Sequence, residues 1–373
     1  MSNIKRYVES NYKDEIRTLT EITQIPAPTF HESLRAQAVL DWLGDIGVTN
    51  TYIDEAGNVI CHLGDTSQSE VSILSAHLDT VFEPNENLDV MQDATKMYAP
   101  GIGDDTANVV GLMYGIKYVV DNHITIKDHL VIAFVVGEEG IGNLKGTKHL
   151  FNTFDNVREH ISFDLYIPQL ITTATGSIRF KVTATTKGGH SWADFGNRNA
   201  CEELASLVLD LGRIKSKNRC VITHNIGYIE GGDRINKIAS SASATFEYRT
   251  CSQDNLKYAQ EYLNTTIEKH TTHDCLFTYE MLGIRPANKY PTTQKCSKLK
   301  DELASIITSV TGNTPDETPA STDANVALSK GIPAANVGCV SGGMLHTSDE
   351  YIVTESLKQG LEIIINIINR YTK

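Results

Sequence analysis

The chain has 373 residues, 40% of them hydrophobic and 21% charged, with a formal net charge of −13. That length exceeds one minimal core, so two domains are expected. The acidic balance argues against a nucleic-acid footprint or an anionic membrane surface as partner. No stretch is apolar enough to span a bilayer, and the opening MSNIKRYVESNYKDEIRTLTEITQIPAP lacks an export core, so a cytoplasmic protein is expected.

Short apolar runs alternate with helical patterns through the first half. Residues 71–76 (VSILSA) suit a strand buried on both faces, and His77 follows directly. After the turn Pro100, Gly101, Ile102, Gly103, residues 104–119 (DDTANVVGLMYGIKYV) place apolar side chains at helical spacing. Further strands are expected at 129–136 and 161–163. Such alternation predicts an α/β layer with a mostly parallel sheet between helices, whose ligands collect where strands end.

The texture changes near Thr175. GSIRFKVTATTKGGHS alternates polar with apolar residues, a helix follows over 199–211, NIGYIEGGDRIN and ASATFEYRT read as strands, and another helix covers 255–269. This predicts an inserted α+β domain over 175–283, with the chain returning at about 284–290. A helix over 297–310 rejoins the first domain, which comprises 1–174 and 284–373. The seven cysteines are scattered without CxxC spacing, which indicates neither a disulfide framework nor a thiolate zinc site.

The residues at the strand exits carry the chemistry. His77 and Asp79 in AHLDT, Asp104 and Asp105 in GIGDDTAN, Glu138 and Glu139 in VGEEG, Asp164 in ISFDLY and His346 in GGMLHTSDEY each follow an apolar run or occupy a glycine-rich turn. Adjacent carboxylates at the end of a buried run need a cation or a proton beside them. Imidazole and carboxylate are ligands that Zn²⁺ accepts, and a shared carboxylate holds two ions about 3.5 to 4 Å apart. The positive charges of two zinc ions are balanced on paper by three ligand carboxylates and a bridging hydroxide. One glutamate is then left over, so Glu139 can bind metal while Glu138 serves as general base toward the bridging water. Taken singly, each motif has a plain reading: a histidine held by a local acid, an ordinary loop, a solvated acidic pair. Their common placement at strand exits favours the metal site.

On these motifs the sequence resembles the di-zinc exopeptidase and deacylase family that includes peptidase T, carboxypeptidase G and acetylornithine deacetylase, over nearly the whole chain. AHLDT matches the family's HxD, PGIGDDTAN its glycine-rich aspartate turn, GEEG its glutamate pair and LHTSDEY its final histidine segment. The resemblance implies two Zn²⁺ per subunit, with Asp104 as the bridge, His77 and Asp164 completing one site, and Glu139 and His346 the other. Cobalt and manganese are the alternative metals. It further implies that Asp79 holds the ligating tautomer of His77 and that Glu138 is the base.

The insert resembles the family's lid, a four-stranded sheet with two helices that pairs subunits into a homodimer. KGGHSWADFG resembles the lid segment whose histidine, His190 here, reaches the partner's active site and stabilises an oxyanion. Asn236 in GGDRIN and Arg249 in FEYRT match positions that bind the substrate's carboxylate or backbone. An arginine in an edge strand is also simply solvated, the plain reading of Arg249. Ser321, Thr322 and Asp323 lie in STDANVALSKGIPAANVG, which resembles a substrate loop of the family.

The implied reaction is zinc-dependent hydrolysis of an amide bond in small peptides. Aspartate at position 164 follows the family's tendency in aminopeptidases and dipeptidases, and GHSWADFGNRNA resembles the peptidase T lid segment, so a di- or tripeptide aminopeptidase is expected. LHTSDEY looks more like the deacylase and carboxypeptidase version, which makes an N-acyl amino acid amidohydrolase or a carboxypeptidase the alternative. Thr106 replaces a lysine usual in the family. A non-catalytic relative would have lost Glu138. A glycosidase pair needs carboxyl groups about 5 Å or more apart on opposite faces of a sugar, which adjacent residues hardly provide.

Overall fold

The apolar run at Val71 becomes the strand Val71–His77, and its neighbour is His129–Val135; every residue of both is buried. In the computed structural model, which describes residues 3–290 and 292–372, these strands belong to a seven-stranded sheet. Its order is Thr51–Ile53, Val59–Gly64, His129–Val135, Val71–His77, Val157–Phe163, Ala334–Val337, Leu170–Ile171. The four middle strands are parallel, and antiparallel strands flank them on both sides.

Successive side chains on a strand point to opposite faces. Leu130, Ile132 and Phe134 therefore enter one core cluster, and Val131, Ala133 and Val135 the other. The first is completed by residues of Asn3–Thr23, Ser33–Asp45, Ala107–Asp121, Gln294–Thr311 and Ser356–Ile368, the second by residues of Lys145–Thr153 and Ala324–Lys330. Helices thus cover both faces, as parallel strands require.

Two local details depart from the sequence pattern. The strand Val157–Phe163 begins four residues before the apolar run because Arg158 and Glu159 find partners of their own: Arg158 donates to Asp128, and Glu159 accepts from Arg370 and Tyr371. The helix expected from Asp104 begins only at Ala107. Asp104 and Asp105 are non-helical, since the Glu350 carboxylate takes the N–H groups of Gly101, Gly103 and Asp104 and holds the turn open. Further along, the helix lies close against Ser356–Ile368: a Cβ on Gly115 would sit 2.7 Å from Ile364 and 2.8 Å from Ile368.

The chain forms two compact units, one holding residues up to Ala174 and those after Tyr290, the other running from Thr175 to Tyr290. The second unit has an antiparallel four-stranded sheet in the order Thr223–Gly231, Ser241–Thr250, Gly176–Thr186, Cys275–Arg285. Helices Ala200–Leu211 and Gln253–His270 complete its core, each capped by a side chain, Asn199 and Ser252, that accepts a backbone N–H of the first turn. The last strand runs through Ile284, where a return to the first domain was expected, and its mixed exposure explains why alternation did not reveal it. Ser241–Thr250 is an inner strand, so Arg249 does not lie on an edge. No helix among the described residues is long and apolar enough to cross a membrane.

Candidate metal centre

Three neighbouring parallel strands deliver their exits to one edge of the first unit's sheet. His77 ends Val71–His77, Glu138 and Glu139 follow His129–Val135 after Gly137 at φ 68°, and Asp164 follows Val157–Phe163. Asp104 comes from the open turn, and His346, at φ 60°, from the loop after Gly342–Gly343.

These distant residues converge. Asp104 offers one oxygen to each histidine: Oδ1 lies 3.1 Å from His77 Nε2, and Oδ2 lies 3.0 Å from His346 Nε2. The same His346 nitrogen is 3.1 Å from Glu139 Oε1. Asp164 Oδ1 is 4.0 Å from His77 Nε2, and its backbone is pinned by Asn336 and Val337. Asp164 Oδ1 is buried without a hydrogen-bond partner among the described residues, which buried polar atoms seldom tolerate unless something else satisfies them. Ligand atoms of His77, Asp104 and Glu139 lie within 4.8 Å of one another, as do those of His77, Asp105 and Asp164. The donor set therefore fits divalent metal.

The electrostatics suit the same purpose. Burial opposes a charge on His77, yet Asp105, Asp104 and Asp164 surround it and hold its pKa well above the ordinary value. Burial also works against the Asp104 carboxylate, but hydrogen bonds from His346 and His77 outweigh it and hold the group below its usual range. Hydrogen bonds to Asp104 and Glu139 raise His346 to about 10. Burial pushes Glu139 up to about 7, with Asp104 and Glu138 adding to the rise, and lifts Asp164 well above the carboxylate range. A bound divalent cation would offset the negative charge that these buried carboxylates bring together.

Asp79 meets His77 through its backbone. Its backbone carbonyl, 2.9 Å from His77 Nδ1, accepts from the ring and fixes the tautomer that leaves Nε2 to a ligand; its carboxylate is 3.6 Å away. That carboxylate instead takes the N–H groups of Glu138 and Glu139, each at 2.9 Å, and the hydroxyl of Thr29. It thereby fixes the turn on which Glu138, 4% exposed, sits.

The remaining candidates divide by unit. His190 is exposed on the second unit, in a two-residue strand paired with Lys237–Ile238; its Nδ1 accepts from the N–H groups of Trp192 and Ala193, both at 3.2 Å. Asn236 is exposed beside it, its carbonyl accepting from Ser191, and Arg249 pairs with Glu247. Ser321 and Thr322 precede Ala324–Lys330 in the first unit, where Thr322 Oγ1 is buried without a hydrogen-bond partner among the described residues. The structure also brings in groups that the motifs left unassigned. Asp105 accepts from the His77 backbone, Glu350 shapes the Asp104 turn, and Asp323, bonded to Thr147, is raised to about 7 by burial with Glu138 contributing. Glu350 lies within LHTSDEY, the signal that could have marked it.

Residues 73–370 match the model of Peptidase family M20/M25/M40. The Bacillus subtilis protein YqjE is 25% identical over 97% of this chain and all of its own length. The fold is similar to that of the aminopeptidase PepT from Bacillus cereus, with a TM-score of 0.76 at 21% identity over 97% of this chain and 99% of that one. It is also similar to that of the M20 metallo-carboxypeptidase Sso-CP2 from Sulfolobus solfataricus, with a TM-score of 0.77 at 14% identity over 96% and 99%. The chain belongs to Peptidase family M20/M25/M40 and is an enzyme that hydrolyses amide bonds.

Proposed function

We propose that the chain is a di-zinc aminopeptidase that shortens di- and tripeptides. The observation that carries this reading is the division of the Asp104 carboxylate between His77 and His346, with Glu139 on His346 and the buried Glu138 on the adjoining turn. His77, Asp104 and Asp164 would hold one ion and Asp104, Glu139 and His346 the other. Bound zinc supplies Lewis acidity toward the scissile carbonyl and lowers the pKa of water.

The chain's own residues do the rest. Glu138 takes a proton from the attacking water and delivers it to the leaving nitrogen. Asp79 holds both glutamates in place through their backbone N–H groups. His190, with Nδ1 occupied as an acceptor, carries its proton on Nε2, and we assign it as donor, across the dimer, to the oxyanion developing in the other subunit. Asn236, Arg249, Ser321 and Thr322 are assigned to the substrate. Asp164 and the likeness of GHSWADFGNRNA to the peptidase T lid segment support the amino-terminal choice. The exposed edge strand Thr223–Gly231 supports a homodimer formed through the inserted unit.

The test incubates the zinc-loaded protein with a free tripeptide, its N-acetylated form and its C-terminal amide. Cleavage that requires the free amine and tolerates the amide is expected. Cleavage of the acetylated peptide would replace this reading with a deacylase or carboxypeptidase, and hydrolysis undiminished by a chelator would end the metal reading altogether.

A further inference from the structure

The segment from Thr23 to Arg35 lies outside the residues matched by the family model, yet it touches three turns of the acidic centre. Thr29 Oγ1 donates to Asp79 Oδ2 at 2.9 Å, and the Ala27 carbonyl accepts from the Thr80 N–H at 2.8 Å. Glu32 Oε1 accepts from the N–H of Gly137, the residue before Glu138, at 3.1 Å, and from Phe30 at 2.9 Å. At the end of the segment Arg35 is 1% exposed. Among the described residues its hydrogen bonds all go to neutral oxygens. Nη1 reaches the Leu78 carbonyl at 3.0 Å and Thr106 Oγ1 at 3.2 Å, Nε and Nη2 reach the Ile25 carbonyl, and Nη2 also reaches that of Thr23.

A guanidinium buried without a bonded carboxylate is an unfavourable choice for mere packing. Burial lowers its pKa to about 10, Asp79 working the other way, so it stays charged at neutral pH. Its planar fork can span contacts that a point charge cannot. Leu78 sits between His77 and Asp79, and Thr106 follows Asp104 and Asp105, so a single nitrogen joins two of the turns that carry the centre.

We propose that this segment is a strap that sets the spacing of the metal-binding turns, with Arg35 as the positioning residue that ties the His77–Asp79 turn to the Asp104 turn. The proposal rests on the metal-centre reading above. Zinc affinity of the chelator-stripped full chain, by competition with a chromophoric chelator, and kcat at saturating zinc are measured for the parent, Arg35→Lys, Arg35→Met and Thr29→Val. Gly115→Ala, a helix-packing change, is the stability control. Residues that orient metal ligands typically contribute about 10- to 100-fold in affinity. Both Arg35 variants are expected to weaken zinc binding by that much and to lower kcat. Thr29→Val should show a smaller loss of the same sign, and Gly115→Ala should melt earlier with parental zinc affinity. If Arg35→Met does not fold, Arg35→Lys and Thr29→Val carry the comparison. Arg35 and Thr29 variants that merely melt earlier, with parental affinity and kcat, would overturn the strap. Full function in Arg35→Lys would overturn the role of the fork. A parent that takes up no zinc would overturn the metal-centre reading, and the strap with it.

Discussion

Glu15 occupies a core position of the helix Asn3–Thr23, in line with Val8, Leu19 and Ile22, and is 1% exposed. Among the described residues neither carboxyl oxygen has a hydrogen-bond partner, and burial raises its pKa from 4.5 to about 8. The folded protein therefore holds a proton that the unfolded chain releases between those values, so stability falls as pH rises through that window. The gap from 4.5 to about 8, at about 1.36 kcal/mol per pH unit, amounts to about 5 kcal/mol lost by pH 8 to 9 relative to pH 4 to 5. Glu15→Gln keeps the shape and removes the titration. Urea unfolding of the parent and the variant across pH 5 to 9 should give curves that diverge toward high pH, with the variant gaining. Parallel curves would show that Glu15 ionises in the folded protein without penalty, and the reasoning from its burial would fail.

Glu138→Gln should retain zinc, measured by titration, while turnover of a tripeptide falls about 10²- to 10⁴-fold, the usual worth of a general base; unchanged turnover would refute its role. Gly115→Ala should cost about 1 to 3 kcal/mol, because the added Cβ meets the Ile364 side chain at 2.7 Å and the packing there must shift. Thermal unfolding checks it, and an unchanged melting temperature would mean that the packing shifts freely.

Much of the centre was legible because parallel strands buried on both faces write themselves as unbroken apolar runs. Those runs lead to His77, Glu138 and Asp164, which the fold sets at one edge of the sheet. What stayed hidden depended on partners remote in the chain. Asp104 looked like the start of a helix, since nothing nearby announces that Glu350, 249 residues beyond Gly101, competes for the same N–H groups. That Asp79 holds His77 through its backbone carbonyl could not be read, because composition does not reveal which atom of a residue is used. Arg35 reads as one more polar residue in a helix until the fold closes around it. In the insert, Cys275–Arg285 lacks the clean alternation that marked Gly176–Thr186, so its end could not be read.

The clasp that Glu350 makes on Gly101, Gly103 and Asp104 also bears on how the protein comes into being. During translation the aspartate turn emerges early, but its fastener and His346 are encoded some 240 residues later, beyond the whole insert. A nascent chain can thus assemble most of its large sheet while the aspartate turn still lacks its clasp. Glu350 and His346 can join the aspartate turn only after the whole insert has been made.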